Sequence, residues 1–219
     1  MEALLFDLDG TLVETNIDFP LMKREVLRLA SNAGLESANL KDLDILSIIE
    51  HAAQHLRASG SHELAEKFRS EANARLEEIE MRHAADAKEI PGAKQLIQTL
   101  RARGIRVGIV TRNCRKASEL ALRIVGIEPD VLISRDDCSS HKPSPDPIFR
   151  ALEFLGVKPS AAAMVGDHLM DIQSGQNAGL TTVGFLREDR PENFFDQVRP
   201  NIVVRSLSEV MCAVIGDNR

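Results

Sequence analysis

The chain has 219 residues, 43% of them apolar, and 27 Lys and Arg against 33 Asp and Glu give a net charge of −6. That length and composition exclude a disordered chain and allow one larger domain, or a core carrying a smaller insert, with ample material to bury. A net negative chain without a basic block is not expected to bind nucleic acid. Attraction for an anionic substrate would have to be local, from a metal ion and a few placed Lys or Arg residues. No apolar run approaches the roughly 18 residues of a membrane span, so no membrane partner is expected. The N-terminal residues lack the basic start and long apolar stretch of a secretory leader. The three cysteines (Cys114, Cys138, Cys212) show no paired spacing, which suits a reducing, cytoplasmic location.

The first expected element is a buried strand, Ala3-Leu4-Leu5-Phe6, followed at once by Asp7-Leu8-Asp9-Gly10-Thr11. If the extended backbone continues, Asp7 and Asp9 share one side while Leu8 points into the core. Gly10 permits a sharp turn after them. Two acids at the carboxyl end of a strand stand where open α/β sheets bind ligands. The same pair also fits a capped strand end with two solvated carboxylates.

From about Phe19 to His83 only helices are expected. Asp18 can cap the first, with Pro20 in its opening turn and Gly34 after its end. A second runs from about Leu40 to Ala58, with Leu43, Leu46, Ile49, Ala53 and Leu56 as its stripe. A third runs from about His62 to Arg82, carrying Leu64, Phe68, Ala72, Leu76 and Ile79. Ile90-Pro91-Gly92 ends this stretch and an α/β rhythm begins. Helices are expected over about Ala93–Arg103, Lys116–Val125, a segment capped by Asp146 with Pro147 first, Asp171–Ala178 and Leu207–Ile215. Strands are expected over Arg106–Thr111, Val131–Ser134, Ala162–Val165, Thr181–Gly184 and Asn201–Val204. Such alternation with short links implies a doubly wound, Rossmann-like parallel sheet with an all-helical insert.

Each polar cluster falls at an expected strand end: Asp7 and Asp9; Thr111-Arg112-Asn113; Lys142 in His141-Lys142-Pro143; and Gly166-Asp167-His168-Leu169-Met170-Asp171. In one parallel sheet these ends share one edge, so a single cleft gathers Asp, Lys, Thr and Asn side chains. Oxygen ligands of this kind suit Mg²⁺, which Asp7 and Asp167 could share, with Asp171 ligating through water or orienting Asp167. The Thr111 hydroxyl, Asn113 and backbone N–H groups can hold phosphoryl oxygens, and Lys142 supplies compensating charge. Helix capping by Thr111 and Asn113 is compatible with that role.

With these four clusters in order, the sequence resembles the haloacid dehalogenase superfamily, in its phosphatase branch with a helical cap inserted after the first motif, similar to phosphoglycolate phosphatases. The resemblance implies a catalytic core over residues 1–15 and 89–219 and a cap over 16–88. It implies that Asp7 is the nucleophile, forming an aspartyl-phosphate. It further implies that Asp9 protonates the leaving oxygen and then activates water, while its backbone carbonyl reaches the metal. The expected function is Mg²⁺-dependent hydrolysis of a small phosphorylated metabolite, a phosphoglycolate-like acid or sugar phosphate. The alternatives are a phosphomutase of the β-phosphoglucomutase type and a non-catalytic binding protein on the same fold.

Other features carry less. Arg112 can face solvent or substrate. His168 fits a variable loop position better than a catalytic one. His51 and His55 have the spacing of a zinc pair but no evident third ligand. Cys114 and Cys138 lack the downstream Arg of a cysteine-dependent phosphatase loop. Lys23, Arg24 and the segment Glu14 to Asn16 are candidate substrate contacts from the cap or its hinge.

Overall fold

The four apolar residues Ala3–Phe6 form β1, fully buried between two parallel neighbours. They lie in a computed structural model that describes residues 1–215. Residues 216–219 of the expected core span lie outside the described residues. The chain divides into two units, Asn16–His83 and the remainder.

In the larger unit, β4 (Arg106–Val110) and β6 (Ala162–Gly166) flank β1 in parallel. With β5 (Val131–Ile133), β7 (Thr181–Phe185) and β8 (Ile202–Val204) they make a six-stranded parallel sheet, ordered β5-β4-β1-β6-β7-β8. Ala3 and Leu5 join Val110, Met164 and the α6 residues (Asp146–Leu155) Ile148, Ala151 and Leu155 in one apolar layer. Strand alternation sends Leu4 and Phe6 to the opposite face, and both are also fully buried. A sheet covered on both faces needs near-continuous apolar strands, which is what β1, β4 and β6 supply. The remaining helices of this unit are α4 (Ala93–Ala102), α5 (Arg115–Val125), α7 (Leu169–Asn177) and α8 (Leu207–Ile215).

Several boundaries in this unit shift by a residue, and two helix starts differ from expectation in how they are capped. Helix α6 starts at Asp146 after Pro145 and places Pro147 in its first turn, with no side-chain cap bond from Asp146. Helix α7 starts two residues before Asp171, because His168 caps it and Asp171 completes a capping box. A short antiparallel pair, β2 (Val13–Glu14) with β3 (Lys88–Glu89), was not expected. Two residues per strand are too few to show a period.

The smaller unit holds α1 (Phe19–Asn32), α2 (Ile45–Ala58) and most of α3 (His62–Ala84). Its core joins Met22, Val26 and Ala30 to Ile48, Ile49, Ala52, Ala53 and Leu56, and to Ala65, Phe68, Ala72, Leu76 and Ile79. Helix α2 starts five residues later than expected. Asp44 accepts from Leu46 N–H (3.2 Å) and Ser47 N–H (3.4 Å), which sets the start, while 37–40 forms a separate 3-10 turn. In α3 the buried position is Ala65, and Leu64, expected in the stripe, is exposed. No described helix is long and apolar enough to cross a membrane.

Candidate active site

Parallel pairing brings the carboxyl ends of β1, β4, β6 and β7 to one edge of the sheet. The strand geometry stops at Phe6, yet Asp7 N–H still donates to Val165 carbonyl (2.9 Å), so the ladder carries Asp7 to the rim. The chain then turns tightly: Leu8 carbonyl accepts from Thr11 (3.3 Å), Leu12 (2.9 Å) and Val13 (3.0 Å). A turn, rather than pleat alternation, thus separates Asp7 from Asp9, and Leu8 is fully buried.

Lys142 is the centre of the cluster. Its buried Nζ donates to Asp7 Oδ1 (2.5 Å), Asp171 Oδ1 (2.7 Å) and Val110 carbonyl (2.8 Å). Three acceptors use every proton an ammonium offers. Burial works against its charge, but Asp171 and Asp7 outweigh that and hold it above the ordinary Lys range. Asp171 Oδ2 accepts from His168 N–H (2.9 Å), so both of its oxygens are engaged. Asp167 Oδ1 accepts from the Thr11 hydroxyl (3.0 Å), whose oxygen in turn accepts from Asp167 N–H (3.2 Å).

Oxygens of Asp7, Asp167 and Asp171 all lie within 4.8 Å of one another. Three carboxylates around one ammonium leave two negative charges uncompensated in a buried site. Burial first, then Asp171, pushes the Asp167 carboxyl up to about 6. Burial also lifts Asp7 well above the usual range, with Lys142 opposing and Asp171 and Asp167 adding to the rise. A divalent cation with a preference for hard oxygen ligands answers that imbalance, so the donor set fits Mg²⁺.

Asp9 is held elsewhere. Its Oδ1 accepts from Thr15 N–H (3.0 Å) and the Thr15 hydroxyl (2.6 Å). Burial raises its carboxyl pKa, while the Thr15 bonds and the nearby Arg187 charge oppose the rise. Two close packings depend on glycine. At Gly166 a Cβ would overlap the Asp171 carboxylate. At Gly10, where φ is +89°, a Cβ would overlap Asp167. Gly10→Ala is therefore expected to destabilise the chain by about 1–3 kcal/mol through strain and displaced carboxylate. Urea unfolding measures it, and a loss below about 0.5 kcal/mol would contradict the close packing.

Thr111 and Asn113 are buried on the loop after β4, and Thr111 Oγ1 accepts from Asn113 N–H (3.2 Å). Neither caps α5; Cys114 does, with Sγ accepting from Ala117 N–H (3.5 Å). Arg112 turns its Nη1 to Met170 Sδ (2.8 Å). His168 caps α7, its Nδ1 accepting from Met170 N–H (3.2 Å). Burial pushes this imidazole pKa down, consistent with a neutral accepting nitrogen. Lys23 and Arg24 lie on α1, in the smaller unit. Among the described residues, Asp7, Asp167 and Asp171 are the one group placed to hold a metal ion, and His51 and His55 join no such group. Burial raises the Cys138 thiol pKa, the wrong direction for a nucleophile.

Thr11 and Arg187 were not expected as site residues, and Thr15, expected within Glu14 to Asn16 as a substrate contact, instead holds the Asp9 carboxylate. Thr11 stands inside the first motif, so adjacency to two acids was a usable signal. Arg187 follows β7 at the same sheet edge as the acids, and strand-end position was its signal.

Residues 4–185 match the family described as haloacid dehalogenase-like hydrolase. The chain belongs to the haloacid dehalogenase-like hydrolases, and it is an enzyme of that class. It is 29% identical over 217 residues to "Pyrophosphatase PpaX" of Bacillus mycoides, covering 96% of this chain and 95% of that protein. The crystal structure of a HAD phosphatase from Thermococcus onnurineus is 27% identical, with TM-score 0.65 and full coverage of both chains (100% each). A predicted phosphoglycolate phosphatase from Haemophilus somnus shares the fold, at TM-score 0.63, 18% identity and 97% coverage of each chain.

Proposed function

We propose that the chain is a Mg²⁺-dependent phosphatase that hydrolyses a small phosphorylated metabolite through an aspartyl-phosphate on Asp7. The observation that carries this is the separation of two acids. Asp7 sits in the Lys142 and carboxylate cluster, whereas Asp9 is held apart on Thr15. Two carboxyl groups in different surroundings can take opposite proton roles.

A Mg²⁺ ion would be held by Asp7, Asp167 and the Asp9 backbone carbonyl, with Asp171 acting through water or by orientation. When bound, it neutralises phosphoryl and carboxylate charge. An Asp7 oxygen bonds to phosphorus as the bond to the leaving oxygen breaks, and Asp9 gives that oxygen its proton. Asp9 then takes a proton from water, whose oxygen bonds to phosphorus as the Asp7 oxygen–phosphorus bond breaks. Phosphate leaves and Asp7 is restored. Thr111 and Asn113 bind the phosphoryl oxygens, and Lys142, its protons held by Asp7, Asp171 and the Val110 carbonyl, supplies compensating charge beside them. Residues 16–88 act as a cap, excluding water during transfer and adding specificity contacts; the reading rests on their place between the first acid pair and the second motif.

The substrate class is a small phosphate ester such as a phosphoglycolate-like acid or a sugar phosphate. The relatives named pyrophosphatase add inorganic pyrophosphate to the compounds to test. Assay of p-nitrophenyl phosphate and these compounds, with Mg²⁺ or a chelator, should show Mg²⁺-dependent phosphate release. No release from any of them, or isomerised product without release, would remove the phosphatase reading. Asp167→Ala is expected to raise the Mg²⁺ concentration for half-maximal rate by about 10–100-fold or more. An unchanged metal titration would remove Asp167 as a ligand.

A further inference from the structure

We propose that Arg187 is a positioning residue for Asp9, pinning the turn that carries the proton donor. The inference rests on the reading of Asp9 as acid and base. Arg187 lies just beyond the carboxyl end of β7 and reaches the first motif with both ends of its fork. Nη1 donates to the Gly10 carbonyl (3.2 Å), directly after Asp9 in the chain. Nη2 donates to Glu14 Oε1 (2.8 Å), directly before Thr15. Nε donates to Asp189 Oδ1 (3.4 Å). Each of the three nitrogens thus has a partner within the chain, two of them on the turn that carries Asp9, which is the arrangement of a brace.

The brace acts where the chain most needs one. Gly10 has no side chain to anchor it and takes a left-handed φ of +89°. Thr15 fixes the Asp9 carboxylate by two hydrogen bonds to one oxygen. Arg187 therefore grips Gly10 and Glu14, the neighbours of Asp9 and Thr15 inside the segment that this pair closes. A planar fork meets two acceptors at once, and a Lys ammonium in its place would be a single point charge. Proton transfer demands close placement, and an error of about 1 Å can cost 10²-fold in rate.

The test compares kcat/KM on p-nitrophenyl phosphate, whose leaving group needs little protonation, with kcat/KM on glycerol phosphate, whose alkoxide needs a proton. Arg187→Met should lower the glycerol phosphate value by about 10–100-fold and the aryl value by less than about threefold. Arg187→Lys should recover part of the loss. Glu14→Leu removes only one of the two anchors and should show the same bias at smaller size, which serves if Arg187→Met melts early by circular dichroism. Equal losses on both substrates, or no loss, would overturn the brace. Asp9→Asn is run alongside. Leaving-group bias in Asp9→Asn without bias in the Arg187 variants defeats this inference alone, and no bias in Asp9→Asn defeats the Asp9 reading and the brace with it.

Discussion

Asp7→Asn is expected to abolish turnover, by on the order of 10⁴-fold or more, while the fold survives. The amide keeps the size of the carboxylate and still offers Lys142 an oxygen in place of the 2.5 Å contact. It lacks the nucleophilic anion, so no acyl phosphate forms. At 1.36 kcal/mol per decade such a loss exceeds about 5 kcal/mol of transition-state stabilisation. Stability should move the other way. Burial and two neighbouring carboxylates already lift the Asp7 pKa, so removing its charge relieves the metal-free site. The variant should melt no lower than the unsubstituted chain without Mg²⁺ and should gain less from added Mg²⁺, since a weaker ligand set gives a smaller binding contribution. Rapid quenching with labelled substrate followed by hydroxylamine should release label from the unsubstituted protein and none from the variant. Turnover within about tenfold of the unsubstituted protein would remove Asp7 as the nucleophile.

Lys142→Met should damage both stability and rate. The side chain is buried and gives all three protons to Asp7, Asp171 and Val110 carbonyl. Removing one partner of a buried ion pair strands the other, at a cost of about 3–5 kcal/mol. Protonation of the stranded carboxyls limits the loss, and Mg²⁺ supplies part of the missing charge. Urea unfolding should therefore show a large deficit in chelator and a smaller one in Mg²⁺. On the rate side, loss of one preorganised positive group near a transferring phosphoryl group costs about 10²–10³-fold. Unchanged stability in chelator would contradict the central place of Lys142 in the cluster.

The two predictions differ in how visible their residues were. Asp7 and Asp9 stand out because two acids and a glycine follow an apolar run, and Asp167 and Asp171 repeat the pattern after a second run. Lys142 does not stand out locally. It sits in a proline-rich loop, and only its place behind the expected β5 marked it. The helical unit was legible from its apolar spacing, but its edges were not. Asp44 rather than Leu40 sets the start of α2, and Ala65 rather than Leu64 faces the core of α3. Caps and one-residue shifts in a stripe are decided by a few hydrogen bonds and by which neighbour is present, and neither has a long enough period to read.

By itself the sequence determined the alternation of strands and helices, the insertion of a helical unit after the first motif, and the polar residues at the strand ends. Those follow from local propensity and periodicity, which act over a few residues. Tertiary structure alone decided which atoms meet. It joined Lys142 to Asp7 and Asp171, Thr11 to Asp167, and Arg187 to Gly10 and Glu14, contacts spanning large separations in the chain. It also set Asp9 apart from the metal-competent carboxylates on Thr15. Such pairings depend on strand order and on turns that no local pattern encodes, because hydrogen bonds of this kind form only after the sheet has brought its ends to one edge.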